Sequence, residues 1–243
     1  MKWWPFILVL LSNFITPIGA EASDVARITA CDYPPYEFEH PDGDKRGFDV
    51  EVVEEAFRRV GLPAVFEFYP WARALQMTKD GEVTALLSCV DTLERRSFLI
   101  MSEPISASTR IFLVRKEYDG PSFTSYENLG GLNIGAVKGY VSSGDLTRHG
   151  IQHDLSVTDA AALKKLAKGR IDVLNTTLER SQYLIDRLDM KGRFKWFVQF
   201  KKDYHLCFSK NRPGVKELIV RFNTVLKSIK EDGTYGRIHN KYR

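Results

Sequence analysis

Short apolar runs of strand type alternate with amphipathic helical segments along most of this 243-residue chain, and that alternation limits the fold more than any other feature. RITAC (Arg27–Cys31) reads as a strand. GFDVEVVEEAFRRVG follows as a helix, with Val52, Val53, Ala56, Phe57 and Val60 on one face. On its other face Glu54–Arg58 and Glu55–Arg59 have i,i+4 spacing, and Gly61 is a natural stop. VFEFY (Val65–Tyr69) is a second strand, Pro70 opens the helix WARALQMTKDG, and TALLS (Thr84–Ser88) is a third strand. This order builds a parallel sheet covered by helices. Ligands of such sheets bind beyond the carboxyl ends of the strands. The loops DYPPYEF, YPWAR and SCVDTLERR all lie at those ends.

The alternation resumes downstream. RIFLVRK (Arg110–Lys116) is a strand, and the polar DGPSFTSYENLGG connects it to a second α/β unit that starts at Asn133. Thr158 can cap the helix DAAALKKLAKG, with Gly169 ending it. RIDVLNT, WFVQF (Trp196–Phe200) and YHLCFSK (Tyr204–Lys210) are further strands. The C-terminal segment repeats Leu218, Phe222, Val225 and Ile229 at helical spacing.

Composition narrows the function classes. With 44% apolar and 27% charged residues the chain is expected to be globular. Its 35 Lys and Arg against 31 Asp and Glu leave a scattered excess of +4, without the basic block of a nucleic-acid binder. Residues 1–22, MKWWPFILVLLSNFITPIGAEA, have one cation at Lys2, an apolar run from Trp3 to Leu11 and a small-x-small end at Ala20–Ala22. That is the pattern of a secretory signal peptide. The run is too short to span a bilayer core of about 30 Å, so export rather than anchoring is expected.

Export permits a disulfide among the three cysteines. Cys31 and Cys89 each end an expected strand, so they either pair or remain separate thiols. His149, His153 and Asp154 have spacing that can suit zinc, but Gly150 between the histidines argues for a solvated connector. Glu51, Glu54 and Glu55 read as a solvated helix face. No phosphate loop, nucleophile elbow or metal-protease motif is present, and no cofactor or metal is expected.

Eight pieces occur in one order: TACDYPPYEF, GFDVEVVEEAF after a Pro-Asp-Gly turn, EFYPWARALQ, GEVTALLS, TLERRSFLIMSEP, YENLGGLNIGAVKGY, ALKKLAKGRIDVL and IKEDGTYGRIHNKY. In this order the chain resembles the periplasmic solute-binding proteins of the polar amino-acid ABC transporter type, family 3. The resemblance implies a two-lobed periplasmic-binding-protein fold of type II, in which two α/β lobes are joined by two hinge strands. Lobe I would comprise 23–113 and 204–243, and lobe II 114–203, with crossings near Phe112–Lys116 and Tyr204–Phe208. It implies a monomer in the periplasm that captures a small carboxylate-bearing solute for a membrane ABC permease.

The same resemblance places a carboxylate-binding arginine at Arg95, whose planar fork suits a carboxylate, and leaves Arg96 to solvent. It makes Tyr33 and Trp71 apolar walls of the site. Arg73 is either a second anion contact or a partner in a salt bridge on the helix surface. Ser88 and Asp91 bound a loop, one residue shorter than the family's usual form, that would add polar contacts. In lobe II the family's ammonium-binding position falls at Thr177, which has no charge. Tyr140 either closes over the ligand or packs on the lobe surface. Two alternatives stay open. One is a lyase of the cyclohexadienyl dehydratase type with Glu179 or Asp91 as acid or base; the other is a protein that presents its ligand to a sensor in trans.

Overall fold

The computed structural model describes residues 25–242, so the expected signal peptide, residues 1–22, lies outside the described residues. The first elements are β1 (Ala26–Ala30), α1 (Phe48–Val60), β2 (Ala64–Phe68), α2 (Trp71–Asp80), β3 (Ala85–Val90) and the single turn α3 (Leu93–Arg96). The strand β4 (Leu99–Arg115) leads into β5 (Ile134–Val137), α4 (Val141–Arg148), β6 (His153–Ser156), α5 (Asp159–Ala167), β7 (Val173–Thr177) and α6 (Leu178–Arg187). Then β8 (Phe194–Ser209) returns, and α7 (Val215–Glu231) and α8 (Thr234–Asn240) follow.

The strands β4 and β8 decide the architecture. At 17 and 16 residues they are far longer than the usual strand of about five or six. They pair antiparallel from Leu99–Ser209 to Arg115–Phe194. One end of this ribbon continues through β3, β1 and β2, and the other through β7, β5 and β6, giving the order β2-β1-β3-β8-β4-β7-β5-β6. The two expected strands at Trp196–Phe200 and Tyr204–Lys210 are thus parts of one. Each end of the ribbon carries its own α/β lobe.

Each lobe has its own core. In the first, Val52, Val53, Ala56 and Phe57 of α1 meet Phe222, Leu226 and Ile229 of α7 over Ile28 and Phe208. In the second, Leu163 and Leu166 of α5 pack with Leu184 and Ile185 of α6 on Ile111 and Leu113. Phe112, Val114 and Val173 face the other way, toward Phe123 and Leu146. On β4, Ile105 packs in lobe I and Ile111 in lobe II; on β8, Phe197 packs in lobe II and Tyr204 in lobe I. The side chains change lobe over 106–110 and 198–203. The expected crossings at Phe112–Lys116 and Tyr204–Phe208 lie slightly C-terminal of these stretches.

Local chemistry explains the elements. Thr158 accepts the Ala161 amide and starts α5, while α1 ends on Gly61 in the left-handed region. Gly47, at φ +103°, precedes α1 so closely against the Tyr36 backbone that no Cβ would fit. One expected pair differs: Glu55 takes both Arg58 and Arg59, because Glu54 is held by Arg46 at 2.7 Å.

The cysteines also differ from expectation. Cys89 is bonded to Cys207 across β3 and β8, with Cα atoms 5.9 Å apart, and Cys31 is free. The sequence reading overlooked that β8 returns antiparallel beside β3, which brings Cys207 to it. The histidine pattern forms no metal site. His149 stacks on Tyr126, His153 Nδ1 bonds the Ile151 carbonyl, Asp154 pairs with Lys165, and no metal-holding cluster occurs among the described residues.

Candidate ligand-binding site

A cavity of ≈ 660 Å³ opens between the lobes. Its lobe I wall comes from the strand ends after β1, β2 and β3, and its lobe II wall from the starts of α4, α5 and α6. Of the residues expected in a site, Tyr33, Trp71, Ser88, Arg95, Tyr140 and Thr177 line it.

The segment that carries Arg95 is built by a cap. Thr92 Oγ1 accepts the Arg95 amide at 3.2 Å and winds α3 into one turn. Successive side chains on a helix diverge by about 100°, so the adjacent arginines separate. Arg95 turns inward and is 8% exposed. Its Nη1 donates to the Val90 carbonyl at 2.8 Å, and its guanidinium sits 4.8 Å over the Trp71 ring. Burial pulls its pKa down. Arg96 turns outward and its Nε donates to Asp91 at 2.7 Å. Asp91 is thereby directed away from the cavity. Arg73 also stays outside, exposed, with its guanidinium 4.6 Å from the Tyr69 ring.

Ser88 sits in a register shift of β3 against β8 and has φ +46°, a left-handed conformation uncommon for a non-glycine residue. Its hydroxyl donates to buried Asp49 at 2.7 Å, and Ser106 donates to the same oxygen at 3.0 Å. Burial outweighs these bonds and pushes the Asp49 carboxyl up to about 7. Burial likewise pushes Glu37 up to about 8, although it accepts the Cys31 amide at 2.8 Å.

The lobes touch across the cavity. Tyr33 and Thr177 share a hydrogen bond of 2.8 Å between their hydroxyls. Arg180 donates to the Pro34 carbonyl at 3.3 Å and lies 5.4 Å from the Tyr33 ring. Tyr140 meets Tyr33 edge-on at 5.9 Å and donates to Asp159 at 3.0 Å. Arg180 also pairs with Asp159 at 3.5 Å. Tyr140 is the N-cap of α4 and makes no side-chain cap, and because Gly139, Tyr140 and Val141 line the cavity, the positive end of the helix dipole opens on it.

Arg110, Asp159, Arg180 and Glu37 line the cavity and were missed in the sequence reading. For Arg110 a faint signal existed: it is the only cation between Ser97 and Arg115, at the head of an apolar strand.

The model of the bacterial extracellular solute-binding proteins, family 3, matches residues 26–243. An arginine-binding periplasmic protein of Mannheimia haemolytica is 25% identical over 243 residues, covering 97% of each chain. A putative ABC transporter arginine-binding protein of Escherichia coli (strain K12) is also 25% identical, again over 97% of each chain. Among solved structures, a histidine kinase sensor domain with similarity to periplasmic binding proteins superposes with a TM-score of 0.79. That structure is 22% identical and the match covers 90% of this chain and 95% of the other.

Proposed function

The chain belongs to the bacterial extracellular solute-binding proteins, family 3, and from that premise we propose that its interlobe cleft captures a small carboxylate-bearing solute, anchored on Arg95. One observation carries this reading: a buried guanidinium faces the cavity and forms no salt bridge among the described residues. An arginine fork in that state is matched by a bidentate carboxylate. Trp71 stacks on one face of the fork, and Tyr33 and Tyr140 supply apolar walls on either side of the cleft. Thr177 serves closure through its bond to Tyr33 rather than meeting a ligand ammonium. Two relatives are named for arginine; the carboxylate is the part of that ligand shared with this proposal.

The working cycle is capture by the open cleft, hinge closure over β4 and β8, and delivery to an ABC permease in the inner membrane. The protein acts as a monomer, exported to the periplasm by the signal peptide. The lyase alternative has less support, since its two candidate carboxylates are held elsewhere. Glu179 accepts the Thr109 amide at 3.1 Å, and Asp91 is bound by Arg96.

A thermal-shift screen of amino acids, organic acids and short peptides, each beside its carboxyl-amidated form, tests the reading. A ligand at a hundred times its Kd stabilises the folded state by about 2.7 kcal/mol. Carboxylates are expected among the hits. A hit list free of carboxylates contradicts the proposal.

A further inference from the structure

Arg110 stands on β4 where the chain crosses between lobes, paired with Thr177 on β7 and Phe200 on β8. It is 7% exposed and lines the same cavity as Arg95. Its Nε is buried without a hydrogen-bond partner, and like Arg95 it forms no salt bridge among the described residues. A guanidinium keeps its charge at every pH a protein meets, and a buried charge without a counter-charge is strongly unfavourable. The buried carboxylates of the cavity lining do not relieve it. Asp159 is held by Tyr140 and Arg180, and Glu37 by the Cys31 amide. The other two acids of the lining, Asp32 and Glu39, are exposed.

The interior of the cleft therefore carries two buried guanidinium groups without a salt bridge, Arg95 from lobe I and Arg110 at the crossing. Thr177, uncharged and bonded to Tyr33, supplies no anion to balance a ligand ammonium. We propose that the cleft selects a dicarboxylate, with one carboxylate on Arg95 and the second on Arg110. This rests on the carboxylate reading of the cleft and adds to it a specificity-determining residue. A cationic solute would bring a further positive charge to two guanidinium groups that already lack a salt bridge and is disfavoured.

Calorimetric titration separates the two ideas. The probes are succinate, glutarate and L-glutamate, each beside its neutral-ended counterpart butyrate, pentanoate or L-glutamine, with L-arginine as the cationic control. At least one dicarboxylate is expected to bind the wild-type chain about tenfold or more tightly than its counterpart. Arg110→Gln should erase that preference and leave the monocarboxylate affinity in place, Arg110→Lys should keep part of it, and Arg95→Ala should lose both ligands. Circular dichroism melts confirm that each variant is folded. If Arg95→Ala abolishes binding but Arg110→Gln leaves the preference intact, the dicarboxylate proposal falls and the carboxylate reading stands. L-arginine outcompeting every dicarboxylate also overturns it. If Arg95→Ala changes nothing, or no acid binds, both readings fall.

Discussion

Arg95 and Arg96 show how one capped turn sorts two identical side chains, one into the cleft and one to Asp91 at the surface. That division is legible in the sequence only through the family resemblance, which puts Arg95 in the site and Arg96 in solvent; the Thr92 cap that produces it comes from the structure. Arg110 is not legible in the same way. A lone cation at the head of an apolar strand reads as a solvated strand end, and only the return of β8 beside β4 encloses it. Asp49 and Glu37 were equally hidden, since nothing local shows that Ser88 and Ser106 will converge on Asp49. Both carboxyls hold their protons to higher pH when folded, at about 7 and about 8, than when unfolded, where about 4 is usual. The stability from their protonated forms is complete below the unfolded values and is lost as pH rises toward the folded ones. The melting temperature should therefore fall between about pH 5 and pH 8, and an Asp49→Asn, Glu37→Gln double variant should flatten that slope. A double variant with the wild-type slope would remove these groups as its cause.

Element boundaries followed local chemistry, but element partners did not. The helices α1, α5 and α7 were readable from their apolar faces and stops, and β1 and β3 from their apolar runs. What could not be read was that β8 inserts between β3 and β4, because an antiparallel pairing over a hundred residues apart leaves no local pattern. For that reason the sequence left pairing of Cys31 with Cys89 and separate thiols both open, and did not bring Cys207 to Cys89. Peptide mapping of unreduced protein should find Cys89 linked to Cys207 and Cys31 alkylated; a Cys31–Cys89 peptide would refute the pairing. A Cys207→Ser variant should lose about 2–5 kcal/mol, because the bond closes a loop of 118 residues and ties β3 to the lobe I end of β8. Chemical denaturation checks this, and an unchanged midpoint would show that the bond adds no stability.

The molecule as a whole is two lobes on a shared antiparallel ribbon, and its interior contacts across the cleft are few and specific. Tyr33 to Thr177 and Arg180 to Pro34 link the lobes, so closure has an identifiable latch. Removing the hydroxyl in Tyr33→Phe takes away one hydrogen bond with a net value of about 0.5–1.5 kcal/mol, or about two- to tenfold in ligand affinity. Unchanged affinity in that variant would mean that the bond does not contribute to closure. The two-lobed plan itself was accessible through the order of eight sequence pieces, whereas the charge inside the cleft emerged only when the lobes met. The most direct measurement of the central claim is a calorimetric titration of the strongest carboxylate from the screen into wild-type protein and into Arg95→Ala. Saturable one-to-one binding is expected for the wild type, and no detectable binding for a variant that melts at the same temperature. Equal affinity in the two proteins would contradict the account.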